Sequence, residues 1–350
     1  MEGQRTGGLD GIRGFAALSV LSAHVVVSLG LVSWSPLGSM GVLMFFALSG
    51  YLIAGVCLRL PPTLAGYRRF LRRRVVRLAP VNLALVLVGG PLLVLGGMAV
   101  GEVVRDSIGA LTQTTAWVVA AGGEGNHPFS PTWSLTVEWV FYVLYPLLAF
   151  ALTVRGWSAH RQSRLLAGLA IGLYLVGLTL TPLAFYLLPV ANLGVMVAGA
   201  ALRLWHEERA ARPAEPARGF AALAILCIFV VLPGHGLGWG WKLSVLPATT
   251  VATLILIHQV VHQATVGRVM GLWWLRGVGL RAYSLYLWHM PVLWLTWRAL
   301  GDHLRAPLVG IVAVVLVAAV TELSYLLLER PVLRGPRPMA AQGTTHPVAT

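Results

Sequence analysis

Ten stretches of roughly twenty apolar residues run through the chain, and a stretch of that length matches a bilayer core of about 30 Å, which an α-helix crosses in about 20 residues. They fall at 9–32, 38–58, 76–98, 132–153, 165–182, 184–204, 219–233, 243–264, 280–299 and 307–328. Composition agrees: 57% of the 350 residues are hydrophobic and 11% are charged, with a mean hydropathy of +0.77, whereas soluble domains carry about 25% charged residues. The expected fold is an all-α integral membrane protein, a bundle of about ten transmembrane helices in the cell membrane. Soluble, disordered and collagen-like architectures are excluded. The net charge of +14 fits basic cytoplasmic loops, so no nucleic-acid partner is expected. Cys57 and Cys227 lie in apolar runs with no CxxC spacing, which supports neither a disulfide framework nor a zinc site.

Charge then orients the bundle. With both termini in the cytoplasm, all but four of the 26 basic residues fall at or near the inner face; the exceptions are Arg105, Lys242, Arg298 and Arg305. The opposite orientation inverts that ratio and violates the positive-inside rule. Segment 59–75 is expected as a cytoplasmic loop, and 99–131 as an outer loop with one short amphipathic stretch. Pro182, Pro189 and Pro233 interrupt the fifth to seventh spans. Residues 1–334 are expected to form one transmembrane domain and 335–350, rich in Pro, Gly and Thr, a disordered tail. Glu2, Arg5, Asp10 and Arg13 near the start, followed by further membrane segments, read against a cleavable signal peptide.

Ionisable side chains inside spans are costly and mark functional candidates. Arg13 and His24 are eleven residues apart, roughly 20° past three helical turns, so they share one helix face about 16 Å apart along the axis. This is the geometry of a channel leading inward from the cytoplasm; a snorkelling Arg and a hydrogen-bonded His fit the same spacing. Glu322 and Glu329 also share a face, and Glu329 is placed to pair with an Arg. His258 and His262 share a face as metal ligation requires, but no HExxH or acidic third ligand stands nearby, so no metal site is expected and hydrogen bonds to Gln259 or Gln263 are. The run of Arg68, Arg69, Arg72, Arg73, Arg74 and Arg77 fits either an anchor on anionic headgroups or a basic mouth for a phosphate-bearing substrate, since Arg forks grip phosphate oxygens.

The string LDGIRGFAALSVLSAH at 9–24 resembles the opening signature of acyltransferase family 3, integral-membrane O-acyltransferases. In family order follow GVLMFFALSGYLI at 41–53, RRRVVRLAP at 72–80, TWSLTVEWVFYVLYPLL at 132–148, YSLYLWHMPVL at 283–293 and LLLERPVLR at 326–334. Six ordered blocks cover almost the whole chain. The resemblance implies a ten-helix domain that moves an acyl group, acetyl or another short chain, from cytoplasmic acyl-CoA to a hydroxyl, often of a sugar. It maps the family's required Arg and His onto Arg13 and His24. Many members carry two consecutive carboxylates where this chain has Glu138 followed by Trp139, and no esterase-like C-terminal domain is expected.

Transfer from thioester to alcohol needs a base for the attacking hydroxyl and stabilisation of the oxyanion. His24 is the expected general base, with Glu138 as first choice for its orienting partner ahead of Asp10, Glu322 and Glu329. Arg13, with Arg68, Arg69, Arg72, Arg73 and Arg74, is expected to hold the CoA phosphates. Ser134, Tyr142, Ser284 and His289 lie in matched motifs as candidate substrate contacts or polar contacts within the bundle. Acyl-CoA is then a donor substrate, with no tightly bound cofactor. The acceptor is a hydroxyl of a glycan or of a natural product such as a macrolide. Trp133, Trp139, Trp288 and Trp294 fit core or interfacial positions, or the wall of an acceptor tunnel. A multi-pass transporter or acyl flippase is the competing class, disfavoured because the polar groups of the early helices have no counterpart in the later ones.

Overall fold

The computed structural model describes residues 2–122, 128–208, 215–231, 238–262 and 265–334, and among them every regular element is helical. The long helices are α1 (Glu2–Ser28), α2 (Pro36–Cys57) and α3 (Leu64–Leu95, with a π turn at Leu85–Gly89). Two short helices, α4 (Val100–Thr112) and α5 (Thr115–Ala120), precede α6 (Trp133–Val154). Then come α7 (Ala159–Leu178), α8 (Pro182–Leu187), α9 (Pro189–Glu208), α10 (Pro216–Val231) and α11 (Trp241–Val261). The chain closes with α12 (Thr265–Met270), α13 (Trp273–Leu280), α14 (Ala282–Leu300) and α15 (Ala306–Leu333).

Among the described residues, seven helices are long and apolar enough to cross a membrane: α1, α2, α3, α6, α11, α15 and the joined pair Pro182–Glu208. The other three expected spans are also helical, as α7, α10 and α14, outside those seven. Their outer faces are apolar nonetheless: Leu165, Leu169, Ile171, Leu175 and Val176 of α7 are exposed, like Ile311, Val315 and Leu327 of α15. Large apolar side chains standing outward on a helical bundle fit a hydrocarbon solvent.

Two expectations change. Segment 59–75 is mostly helix: Thr63 caps α3 through a bond from the Gly66 amide to its hydroxyl (3.2 Å), and the arginine run rides on the first half of α3. Arg side chains are good helix formers, and hydropathy alone hides a helix that continues beyond the bilayer. The outer segment holds two helices, α4 and α5, besides part that lies outside the described residues, as does the tail 335–350. Pro182 and Pro189 start helices α8 and α9, where the missing N–H costs nothing; Thr181 caps the first of them, accepting from the Ala184 amide (3.3 Å).

Helix α2 sits at the centre, packed against α1, α9 and α11. Its crossing with α9 is set by glycine. A Cβ added at Gly50 would stand 1.8 Å from the Met196 carbonyl oxygen, and one at Gly199 2.0 Å from that of Ala47. The opening motif uses glycine likewise: Gly11 and Gly14 press against the Met270 and Leu275 carbonyls, and Gly279 against that of Asp10. Only glycine allows backbones this close, and this contact brings Arg13 beside the start of α14.

Candidate active site

Where α1, α2, α3, α6 and α14 meet, a cavity of about 280 Å³ opens between the helices. Arg13, Arg59, Arg74, Arg77, Glu138 and Glu329 supply its charges, four cationic and two anionic, and Ser49, Ser134, Tyr142, Tyr283 and Tyr286 its hydroxyls. Its walls include Phe45, Phe46 and Leu52. A pocket that combines apolar walls with a surplus of arginine suits a ligand with an anionic end and an apolar arm.

Glu138 on α6 is fully engaged. The Ser49 hydroxyl donates to its Oε1 and the Tyr142 hydroxyl to its Oε2, each at 2.9 Å. Instead of orienting His24, this carboxylate ties α2 to α6 across the cavity. Arg74 lies with its guanidinium 5.2 Å from the Phe70 ring centroid and 5.6 Å from that of Tyr142. Its buried Nε donates to no acceptor among the described residues. A buried donor without a partner carries a desolvation penalty, which an anionic ligand in the cavity relieves. Arg13 is held by Asp10 at 2.9 Å, and Asp10 is also approached by Arg276 at 4.0 Å.

His24 sits deeper on α1, and its ring nitrogens can be assigned from their neighbours. Its Nδ1 lies 2.9 Å from the Val20 carbonyl oxygen. A carbonyl only accepts, so Nδ1 carries the proton and Nε2 keeps a lone pair. The same Nδ1 stands 3.2 Å from Nε2 of His289 on α14, with ring centroids 4.8 Å apart. His289, fully buried, donates from its own Nδ1 to the Tyr286 carbonyl at 2.8 Å, which leaves its Nε2 as an acceptor facing His24. The hydrogen-bond chain runs from the backbone of Tyr286, a cavity residue, through His289 to His24. It orders a neutral His24 whose free nitrogen can take a proton. His24 itself is not among the cavity-lining residues.

The remaining candidates divide. Ser134 lines the cavity and donates to the Tyr286 hydroxyl at 2.8 Å, which in turn donates to the Pro131 carbonyl at 2.8 Å. Ser284 lies off the cavity and bonds Glu329 through both its amide (3.1 Å) and its hydroxyl, so Glu329 is held by serine and not by an arginine. Glu322 pairs with Arg281 through both of its oxygens. Of the basic run, Arg74 and Arg77 reach the cavity. Arg69, Arg72 and Arg73, with Arg77, line a shallower groove against Val332 and Leu333 at the end of α15. Arg68 is exposed. Trp133 and Trp288 are buried in the core. Ser49, Arg59, Tyr283 and Tyr286 were not candidates: three of them lie in the quoted motifs and Arg59 in none, and only packing turns them into the cavity.

Comparison with known proteins agrees with the architecture. Residues 6–325 match the family described as an acyltransferase domain, acyltransferase family 3. The chain belongs to this family. It is 26% identical over 359 residues to a Bacillus subtilis protein named "Putative peptidoglycan O-acetyltransferase YrhL", covering 93% of this chain and 54% of that one. It is 25% identical over 353 residues to the O-acetyltransferase OatA of Staphylococcus aureus, covering 93% of this chain and 57% of the relative. The chain thus spans about half the length of the curated relatives it matches. No solved structure matches.

Proposed function

We propose that this acyltransferase-family protein is a plasma-membrane O-acyltransferase that moves a short acyl group, acetyl in the simplest case, from acyl-CoA to a hydroxyl. The supporting observation is the cavity itself, where four arginines outnumber two glutamates and the buried Nε of Arg74 lacks an acceptor. The CoA phosphates lie against Arg13, Arg74 and Arg77, and the pantetheine arm runs along α1 toward His24, about 16 Å further on. Arg forks suit phosphate. Both termini lie in the cytoplasm, which puts the arginine-bearing half of α3 on the acyl-CoA side.

His24 is the general base. Its Nε2 takes the proton from the acceptor hydroxyl as that oxygen attacks the thioester carbonyl. As the tetrahedral intermediate collapses, the C–S bond breaks and His24 returns its proton to the leaving sulfur, so that CoA departs as the thiol and the imidazole is neutral again. Atoms and charge balance without a further reactant. His289 and the Val20 carbonyl fix the tautomer and angle of His24, the positioning role that an orienting partner has for a catalytic base. The acceptor is a glycan hydroxyl, in keeping with the printed name of the Bacillus subtilis relative, or a natural-product hydroxyl of the macrolide kind.

The test is thiol release from acetyl-CoA by protein purified in detergent, with muramyl glycan fragments or a macrolide as acceptor. Acceptor-dependent release together with O-acetylated product is expected. Detergent abolishes sidedness, so a chain that only carries acyl groups across the membrane gives neither.

A further inference from the structure

The described residues hold a second cluster of imidazoles, at the ends of two helices. His206 lies in the last turn of α9, and His258 and His262 lie at the end of α11. One ligand atom from each of the three lies within 4.8 Å of the others. His206 Nε2 stands 2.8 Å from His258 Nδ1, and the ring centroids are 4.4 to 5.1 Å apart. The sequence offers His258 and His262 as a pair on one face; the third imidazole arrives from 52 residues away through the packing of α9 beside α11.

We infer that His206, His258 and His262 form a binding site for a late first-row divalent cation of the Zn2+ class. Three features of the cluster carry this. His262 Nδ1 donates to the His258 carbonyl at 2.9 Å, so its Nε2 holds a lone pair, and a ligating histidine typically has its second nitrogen anchored in this way. The Tyr51 hydroxyl lies 3.1 Å from Nδ1 of His206 and can accept its proton, which frees Nε2 of His206 for the metal. All three histidines lie in or just past the last turn of their helices, the end whose dipole favours a cation. Arg203, whose charge acts on His206, is paired with Glu207 and lies over the Tyr51 ring at 5.7 Å. Imidazoles without a carboxylate select Zn2+, Cu2+ or Ni2+ over Mg2+ and Ca2+. A zinc ion ligated at about 2.0–2.1 Å takes the place of the 2.8 Å hydrogen bond between His206 and His258. The ion ties the end of α9 to the end of α11, with one coordination position left for water.

The experiment uses full-length protein purified in detergent through a tag that contains no histidine, stripped with chelator and exchanged into metal-free buffer. Calorimetric titration with Zn2+ is expected to give about one equivalent per chain. Replacement with Co2+ should give the intense visible absorption of a four-coordinate, nitrogen-ligated ion. His206→Gln and His262→Gln each weaken binding at least tenfold, whereas His160→Gln on α7 leaves it unchanged. Tyr51→Phe keeps all three imidazoles and retains the stoichiometry. Wild-type protein that takes up no Zn2+, or binds Co2+ with the weak spectrum of six oxygen ligands, overturns the site without recourse to any variant. So does binding that survives in both His206→Gln and His262→Gln.

Discussion

At the residue scale the proposed mechanism divides the imidazole pair of α1 and α14 into an acting group and a supporting one. His24 has Nδ1–H committed to Val20 and His289, so the lone pair on Nε2 is available. His289 touches His24 through one nitrogen and the backbone through the other. His289→Ala is therefore expected to lower turnover by about tenfold while leaving the KM for acyl-CoA near its original value, and His289→Gln, whose amide can still accept from Nδ1, should recover part of the loss. Equal losses in both variants would return His289 to a packing role. At Glu138, replacement by Gln keeps one acceptor for the two hydroxyls that now have two, and presents an amide donor to the other hydroxyl. The lost match costs about 1–3 kcal/mol, read as a lower melting temperature in detergent. Arg13 and His24 were legible in the sequence because they share a helix face inside a motif. The partnership of His24 with His289 was not, because 265 residues separate them and no periodicity links α1 to α14. Glu138 was legible as a rare acid within a span, but its hydroxyl partners Ser49 and Tyr142 resemble ordinary bundle polarity until α2 and α6 are packed.

Among the elements, α3 shows what hydropathy sees and what it misses. Its apolar half was evident at 76–98, but its basic half reads as a loop because charge lowers hydropathy without breaking a helix. Once helical, the arginine run faces several directions. Arg74 and Arg77 turn into the cavity, Arg72 and Arg73 toward the groove beside α15, and Arg68 toward solvent. Arg74→Gln alone is thus expected to raise the KM for acyl-CoA by about ten- to a hundredfold, the scale of one charge-assisted contact of about 1.5–3 kcal/mol, and Arg68→Gln to leave it unchanged. An equal effect of both in steady-state donor titrations would mean that the run acts only through surface charge. The crossing of α2 and α9 gives a structural prediction. Gly199→Ala puts a methyl group 2.0 Å from the Ala47 carbonyl oxygen, backbone that cannot step aside, and should lower stability by about 1–3 kcal/mol. Gly168→Ala on α7, where an added Cβ meets nothing within 4 Å, serves as the control that carries only the helix-propensity gain of about 0.5–1 kcal/mol in the same melting experiment.

For the whole molecule, the all-helical membrane architecture was legible because lipid leaves a chain this apolar few alternatives, and the proposed orientation rests on where the arginines lie. In a variant lacking Cys57 and Cys227, a cysteine at exposed Leu111 should react with an impermeant thiol reagent on intact cells and one at exposed Arg68 should not; the reverse pattern would invert the topology. On the proposed mechanism, donor charge is gripped at the Arg13 end of α1 and the proton is moved about 16 Å along the helix at His24, so binding and chemistry are separated in space. Pairing donor affinity by calorimetry with single-turnover acyl transfer on His24→Ala tests this division directly. Acyl-CoA should bind with near-original affinity while transfer falls by roughly 10²–10⁴, the contribution of a general base. Full transfer by a folded His24→Ala protein would contradict the account.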